Sequence, residues 1–147
     1  MIGIKMIEVL VILAAYQIDL DKNLLLSTCQ VETNLRNVIV KNDGGSPSYG
    51  ICQVKLGTAK SIDPVANPNK LMDPYYNALI AGKYIKRMIK RFDGYTWKAI
   101  GAYNAGPTKM SRWLDLYGKP MNITYIEKVK HVYRNYNKQR YAFSFSQ

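Results

Sequence analysis

The chain has 147 residues, of which 48% are hydrophobic and 21% charged, an ordinary globular mix that excludes disordered, collagenous and low-complexity classes. Two cysteines cannot make a disulfide framework, and the longest apolar run, Val9 to Tyr16, falls short of the roughly 18–20 residues a membrane helix needs. The anomaly is charge: 21 Lys+Arg against 10 Asp+Glu give +11. Residues 1–73 sum to zero, so the excess lies wholly in residues 74–147, concentrated at 83–91 and 128–140. Such a field fits a polyanionic partner (nucleic acid, anionic lipid or a cell-wall polymer), and equally a solvated face that keeps the chain soluble.

In chain order, Ile4 to Gln17 reads as a helix with a broad apolar face. Glu8 and the lack of a small-x-small cleavage site before Asp19 argue against a signal peptide there. Asp19 or Asp21 caps a second helix to about Leu35, with Leu24, Leu25, Thr28, Val31 and Leu35 facing the core. Val38-Ile39-Val40 is a candidate strand, and Lys41 to Tyr49 is turn chemistry throughout. A short helix is expected over about Leu56 to Ile62, before a loop with Pro64 and Pro68. Asp73-Pro74 starts a long helix to about Phe92, which Asp93-Gly94 ends. Thr96 caps the next helix, which stops at Gly106-Pro107, and further helices follow over about Thr108 to Leu116 and Asn122 to Tyr141. No repeat or linker interrupts the chain. The expectation is one mainly α domain over residues 1–147, with at most a very small β element.

Glu32 is the polar residue whose surroundings bear on chemistry. Val31 and Leu35 flank it, with Thr28 and Cys29 one turn back. A carboxyl beside a buried face is desolvated, which raises its pKa above the usual value of about 4.3 and keeps it protonated for general acid work. Periodicity alone favours a surface residue at a helix end.

Four segments add to this. Glu32-Thr33-Asn34-Leu35, Gly50-Ile51-Cys52-Gln53, Ala102-Tyr103-Asn104-Ala105-Gly106 and Tyr125-Ile126-Glu127-Lys128-Val129 resemble, in order, the four signatures of the family 23 lytic transglycosylases. That family writes them roughly as Glu-Ser-x-x-Asn, Gly-Leu-Met-Gln, Ala-Tyr-Asn-Ala-Gly and Tyr-x-x-x-Val. The third is fairly specific, and the match runs from about Ile4 to Tyr136. The resemblance implies a lysozyme-like helical fold and cleavage of the MurNAc–GlcNAc bond of peptidoglycan, leaving a 1,6-anhydro-MurNAc end, with no cofactor and no metal. One Glu serves as acid and then base, and the substrate's acetamido group replaces a second carboxylate.

Carried over by position, Glu32 is the acid/base. Gln53 bonds substrate near the cleaved bond, and Gly50 lets sugar approach the backbone. Tyr103 and Tyr125 bracket Glu32, Asn104 ties its loop together, and Thr33 takes the place of the family's Ser. Lys55 departs from the family's Met. Three readings of it stay open: it lowers the Glu32 pKa, it binds a stem-peptide carboxylate, or it points to solvent.

The resemblance extends to the related goose-type lysozymes, which hydrolyse the same bond with Asp residues in this loop region. Asp43 is therefore the candidate second carboxylate of a hydrolase, the alternative to Asp43-Gly44-Gly45 being only a turn. Cys29 and Cys52 read as buried free thiols, with a disulfide between them open. The one histidine, His131, offers no nearby partner for a thiol nucleophile.

The expected partners are peptidoglycan strands, with anionic envelope polymers held by the basic residues in 83–91 and 128–140. No nucleic acid is expected, and the chain is expected to be a monomer. The expected place of action is the bacterial wall, reached from the periplasm or delivered by a virion, as in a phage lysis protein. A non-catalytic polyanion-binding domain is the remaining alternative.

Overall fold

A computed structural model describes residues 3–145, with side chains through Gln139; Arg140 and Tyr141 thus lie outside the described side chains. Eight helices and a three-stranded antiparallel sheet make up the described residues: α1 Ile4–Gln17, α2 Lys22–Thr33, β1 Ile39–Asp43, β2 Ser46–Tyr49, β3 Val54–Lys55, α3 Leu56–Ile62, α4 Pro68–Leu71, α5 Pro74–Arg91, α6 Thr96–Ala105, α7 Pro107–Tyr117 and α8 Ile123–Phe145. The fold is the mainly helical, lysozyme-like class with a very small sheet.

Local chemistry sets most boundaries. The Asp21 carboxylate accepts the Asn23 N–H at 2.9 Å and opens α2. Asp73 does the same for Tyr76 N–H at 2.8 Å, with Pro74 as the first helical residue of α5. Asn34, in the left-handed region at φ 56°, closes α2 just after Thr33. Tyr95, rather than Thr96, stands at the cap of α6, and no side chain bonds the free N–H groups there.

α5 is the axis of the molecule. Asn77, Ala78, Ile80, Ala81, Gly82, Ile85 and Met88 are buried along it, and α1, α2, α3, α4 and α6 all pack on it. α1 contributes Ile7, Val11, Ala14 and Ala15 to the same core. Leu24, Leu25, Thr28 and Leu35 are buried as their spacing predicts, with Val31 half-buried against them. A smaller cluster of Met88, Phe92, Ala99, Ala102 and Met110 joins α5, α6 and α7. Among the described residues no helix is long and apolar enough to cross a membrane.

α8 closes over α2 and fixes its orientation. Tyr133 donates to the Asp21 carboxylate at 2.5 Å, Tyr136 to Gln30 Oε1 at 2.5 Å, and Asn23 Nδ2 to Asn137 Oδ1 at 2.8 Å.

Two further expectations are corrected. Lys41 to Tyr49 is not a loop but most of a β-hairpin. Gly44 and Gly45, at φ 66° and 99°, make the tight turn that right-twisted strands require. The candidate strand at Val38-Ile39-Val40 overlaps the start of β1, but all five β1 residues are exposed, so no alternation carried it on through Asp43. Val40 pairs Ser48 and Asp43 pairs Ser46, leaving Lys41 and Asn42 opposite Pro47. This bulge accommodates a proline, which has no N–H to give the ladder, within the central strand.

The second correction concerns the cysteines. Cys29 and Cys52, both fully buried, are joined as a disulfide with Cα atoms 4.2 Å apart. The bond ties α2, one turn before Glu32, to the segment that carries Gln53.

Candidate active site

Glu32 sits in the last turn of α2 and faces a cleft of about 330 Å³ between the hairpin and the α6–α7 junction. Asp43, Ser48, Gln53 and Lys55 line it from the sheet side, and Tyr103, Asn104 and Lys109 from the helical side. Burial strips water from the Glu32 carboxyl and pushes its pKa from 4.5 up to about 7. Tyr125, which donates to Oε2 at 3.3 Å, stabilises the anion and pulls the value down. The negative charge of Asp43 across the cleft pushes it up. The result is an acid half-protonated near neutrality, as a general acid requires.

Lys55 is not among the groups that shift Glu32. Its ammonium donates instead to the main-chain oxygen of Asp43 and pins the end of β1. Asp43 is held twice over, since Ser48 Oγ donates to its Oδ2 at 2.6 Å. The hairpin therefore places the Asp43 carboxylate at the cleft, bonded to Ser48.

Gln53 lines the cleft at φ 54°, its Nε2 donating to Val38 O at 3.1 Å and Gly50 O at 3.0 Å. These bonds leave the side-chain carbonyl as the group available to a ligand. Tyr103 is oriented by its hydroxyl on Cys52 O at 2.5 Å and by the Tyr84 ring, 5.8 Å away between centroids. Burial and the Glu32 charge hold the Tyr103 and Tyr125 phenols well above their ordinary pKa, so both stay neutral donors. Asn104 lines the cleft and accepts from Asn122 Nδ2 at 2.9 Å, tying α6 to the start of α8.

Two sequence assignments move away from the cleft. Thr33 is buried, and its hydroxyl donates to Ile51 O at 2.6 Å while accepting Arg36 N–H at 3.1 Å. It links α2 to the Gly50–Gln53 segment. Gly50 is also buried and turned inward: a Cβ there would stand 2.4 Å from Asn77 Nδ2 and 2.6 Å from Leu71 O. At φ 77° the position also favours glycine by conformation. Its lack of a side chain serves close packing inside the protein, not the approach of a sugar.

No motif marks Asn77. Fully buried on α5, it donates through Nδ2 to Tyr49 O and Leu71 O, both at 2.8 Å, and accepts Cys52 N–H at 2.9 Å. It holds the turn that presents Gln53. A polar residue in the apolar stripe of α5 is the one signal that could have found it. Ser48 and Lys109 are likewise cleft residues that no motif marked.

The transglycosylase SLT domain family matches residues 10–126. Invasion protein IagB of Salmonella typhimurium is 30% identical over 91 residues, 60% of this chain and 56% of that protein. The soluble lytic murein transglycosylase of Escherichia coli is 29% identical over 87 residues, 54% of this chain and 14% of that protein. The chain thus matches about half the length of one relative and a small part of the other. Among solved structures, the lytic transglycosylase Slt of Pseudomonas aeruginosa, in an inactive Glu-to-Gln mutant, superposes with a TM-score of 0.75. That match covers 91% of this chain and 24% of the other at 21% identity, and it speaks to the fold. On the extent of the family match, the chain belongs to the transglycosylase SLT domain family.

Proposed function

We propose that the protein is a peptidoglycan lytic transglycosylase in which Glu32 alone moves the protons. The observation that carries this is a desolvated Glu32 carboxyl with a pKa of about 7, set in a cleft among phenols and an opposed carboxylate. The relatives named as murein transglycosylases support the substrate class, and the inactive Glu-to-Gln mutant of Slt supports a glutamate as the working residue.

Protonated Glu32 gives its proton to the oxygen between MurNAc and GlcNAc. The C1–O bond breaks, and the acetamido oxygen of the same MurNAc takes up the electron-poor C1. The Glu32 carboxylate then removes the proton of the C6 hydroxyl, and O6 attacks C1. The ring closes as 1,6-anhydro-MurNAc, no water is consumed, and Glu32 ends protonated as it began. The Gln53 carbonyl and the Tyr103 face position the sugar, and Tyr125 steadies the anionic form of Glu32.

Asp43 favours a second reading. It lines the same cleft, fixed by Ser48, and a carboxylate so placed can orient a water for direct hydrolysis. Purified peptidoglycan incubated with the protein separates the two. Anhydro-MurNAc ends that disappear in Glu32→Gln support the transglycosylase. Reducing MurNAc ends that disappear in Asp43→Asn establish the hydrolase.

The basic residues of 83–91 and of 128–138 hold the enzyme on anionic envelope polymers of the bacterial wall. Among the described residues the one ion pair is Lys130–Glu127, at 3.5 Å, so this positive field is left for outside anions.

A further inference from the structure

We infer that the Cys29–Cys52 bond is a redox switch on the cleft: closed, it keeps Glu32 and Gln53 in register, and opened to two thiols it drives them apart and lowers activity. This rests on the reading of Glu32 as the acid above.

The two sulfurs lie where the site has least slack. Cys29 is one turn before Glu32 in α2, and Cys52 is the neighbour of Gln53. Both are fully buried, with Cα atoms 4.2 Å apart. A bonded pair can stand this near. Two thiols cannot, because unbonded sulfurs keep van der Waals distance and each gains a hydrogen. Reduction therefore adds bulk at a packed contact, with the cost that overpacking brings.

The surroundings decide where that bulk is relieved. The Gly50–Gln53 segment has no room to retreat toward α5, since even a Cβ at Gly50 would stand 2.4 Å from Asn77 Nδ2. Cys52 N–H is held on the same side by Asn77 Oδ1 at 2.9 Å. α2 is backed in turn by α1, α5 and α8. The side that can give is the cleft, where the Thr33 hydroxyl on Ile51 O and the Tyr103 hydroxyl on Cys52 O hold the segment in place. Spreading there moves Gln53 from Glu32, frees the Tyr103 phenol and lets water reach the Glu32 carboxyl.

One dithiol, or two monothiols, give two electrons and two protons to the sulfurs and leave as a disulfide. A thiol-rich compartment thus keeps the cleft disabled, and an oxidising one arms it.

The test unfolds the full chain, reduces it with dithiothreitol and refolds it, half under reductant and half under oxidised glutathione. Release of glycan fragments from purified peptidoglycan is then followed across neutral pH. The double variant Cys29→Ala with Cys52→Ala is the decisive control. It lacks the bond as the reduced chain does, yet its methyl groups fit the space. On reduction kcat/KM should fall about tenfold or more, toward the ~100-fold that a 1 Å misplacement costs. The alkaline midpoint should move down from about 7 as the carboxyl is hydrated. The double variant should keep most of the oxidised rate, keep its midpoint and ignore reductant.

A reduced chain as active as the oxidised one overturns the inference and leaves the transglycosylase standing. A double variant as slow as the reduced chain also overturns it, since loss of a staple then explains both. By circular dichroism, a reduced chain that fails to refold beside a double variant that does supports the inference, and failure of both overturns it. An oxidised chain that releases no fragments brings down the underlying reading as well.

Discussion

Replacing Glu32 with Gln should make the protein more stable in neutral and alkaline solution while removing its activity. In the unfolded chain the carboxyl titrates near 4.5, whereas in the folded protein burial holds it at about 7. Below pH 4 both states hold the proton, and Glu and Gln are equivalent. Between the two values the unfolded chain gives up its proton and the native state keeps it. Stability therefore falls as pH rises, by about 1.4 kcal/mol per pH unit. The loss is complete just above pH 7 and amounts to about 3 kcal/mol. Gln is neutral throughout, keeps an oxygen for the Tyr125 hydroxyl, and escapes the loss. Urea unfolding of both proteins from pH 4 to pH 8.5 measures this directly. The curves should coincide at pH 4 and separate to about 3 kcal/mol by pH 8, roughly 6–12 °C in Tm for a chain of this size. A separation that does not change with pH would refute the desolvated acid, whatever the activity does.

The same carboxyl sets the alkaline limb of the rate, which should fall with a midpoint near pH 7 as the acid is lost. Tyr125→Phe removes the bond that favours the anion and should move that midpoint up. Asp43→Asn removes the repelling charge and should move it down, and shifts in the same direction would contradict the geometry. Replacing Cys29 and Cys52 together by Ala opens a link between residues 23 apart and should cost about 3 kcal/mol in unfolding measurements. Gly50→Ala forces a Cβ onto Asn77 and the Leu71 carbonyl at a left-handed φ, and a loss of about 2–4 kcal/mol is expected by the same assay. Sedimentation with isolated cell walls should show binding that weakens between low and high salt, through screening of the basic faces.

Helix boundaries were legible because the residues that set them act locally. Asp21, Asp73-Pro74 and Gly106-Pro107 mark helix starts and stops whatever the rest of the chain does. The hairpin was legible only at its start, Ile39-Val40, since the exposed remainder of β1 runs into turn-forming residues and carries no buried alternation to read. Pairing of Cys29 with Cys52 depends on α2 meeting the Gly50–Gln53 segment, a contact that no sequence spacing encodes. The site divides along the same line. Glu32 and Gln53 fall in motif positions and line one cleft, and Tyr125 bonds Glu32 from beside it. Thr33 and Gly50 fall in the same motifs yet turn inward, because a motif reports which residues recur and not which way they face. Asp43 needed the hairpin to become a cleft residue, and Asn77 needed the fold to become the anchor of the Gln53 turn.

Mass spectrometry of the soluble products from purified peptidoglycan tests the central claim most directly. Fragments ending in 1,6-anhydro-MurNAc, lighter by one water than hydrolysed ones and absent with Glu32→Gln, are the predicted result. Reducing MurNAc ends, or anhydro ends that persist without the Glu32 carboxyl, would contradict it.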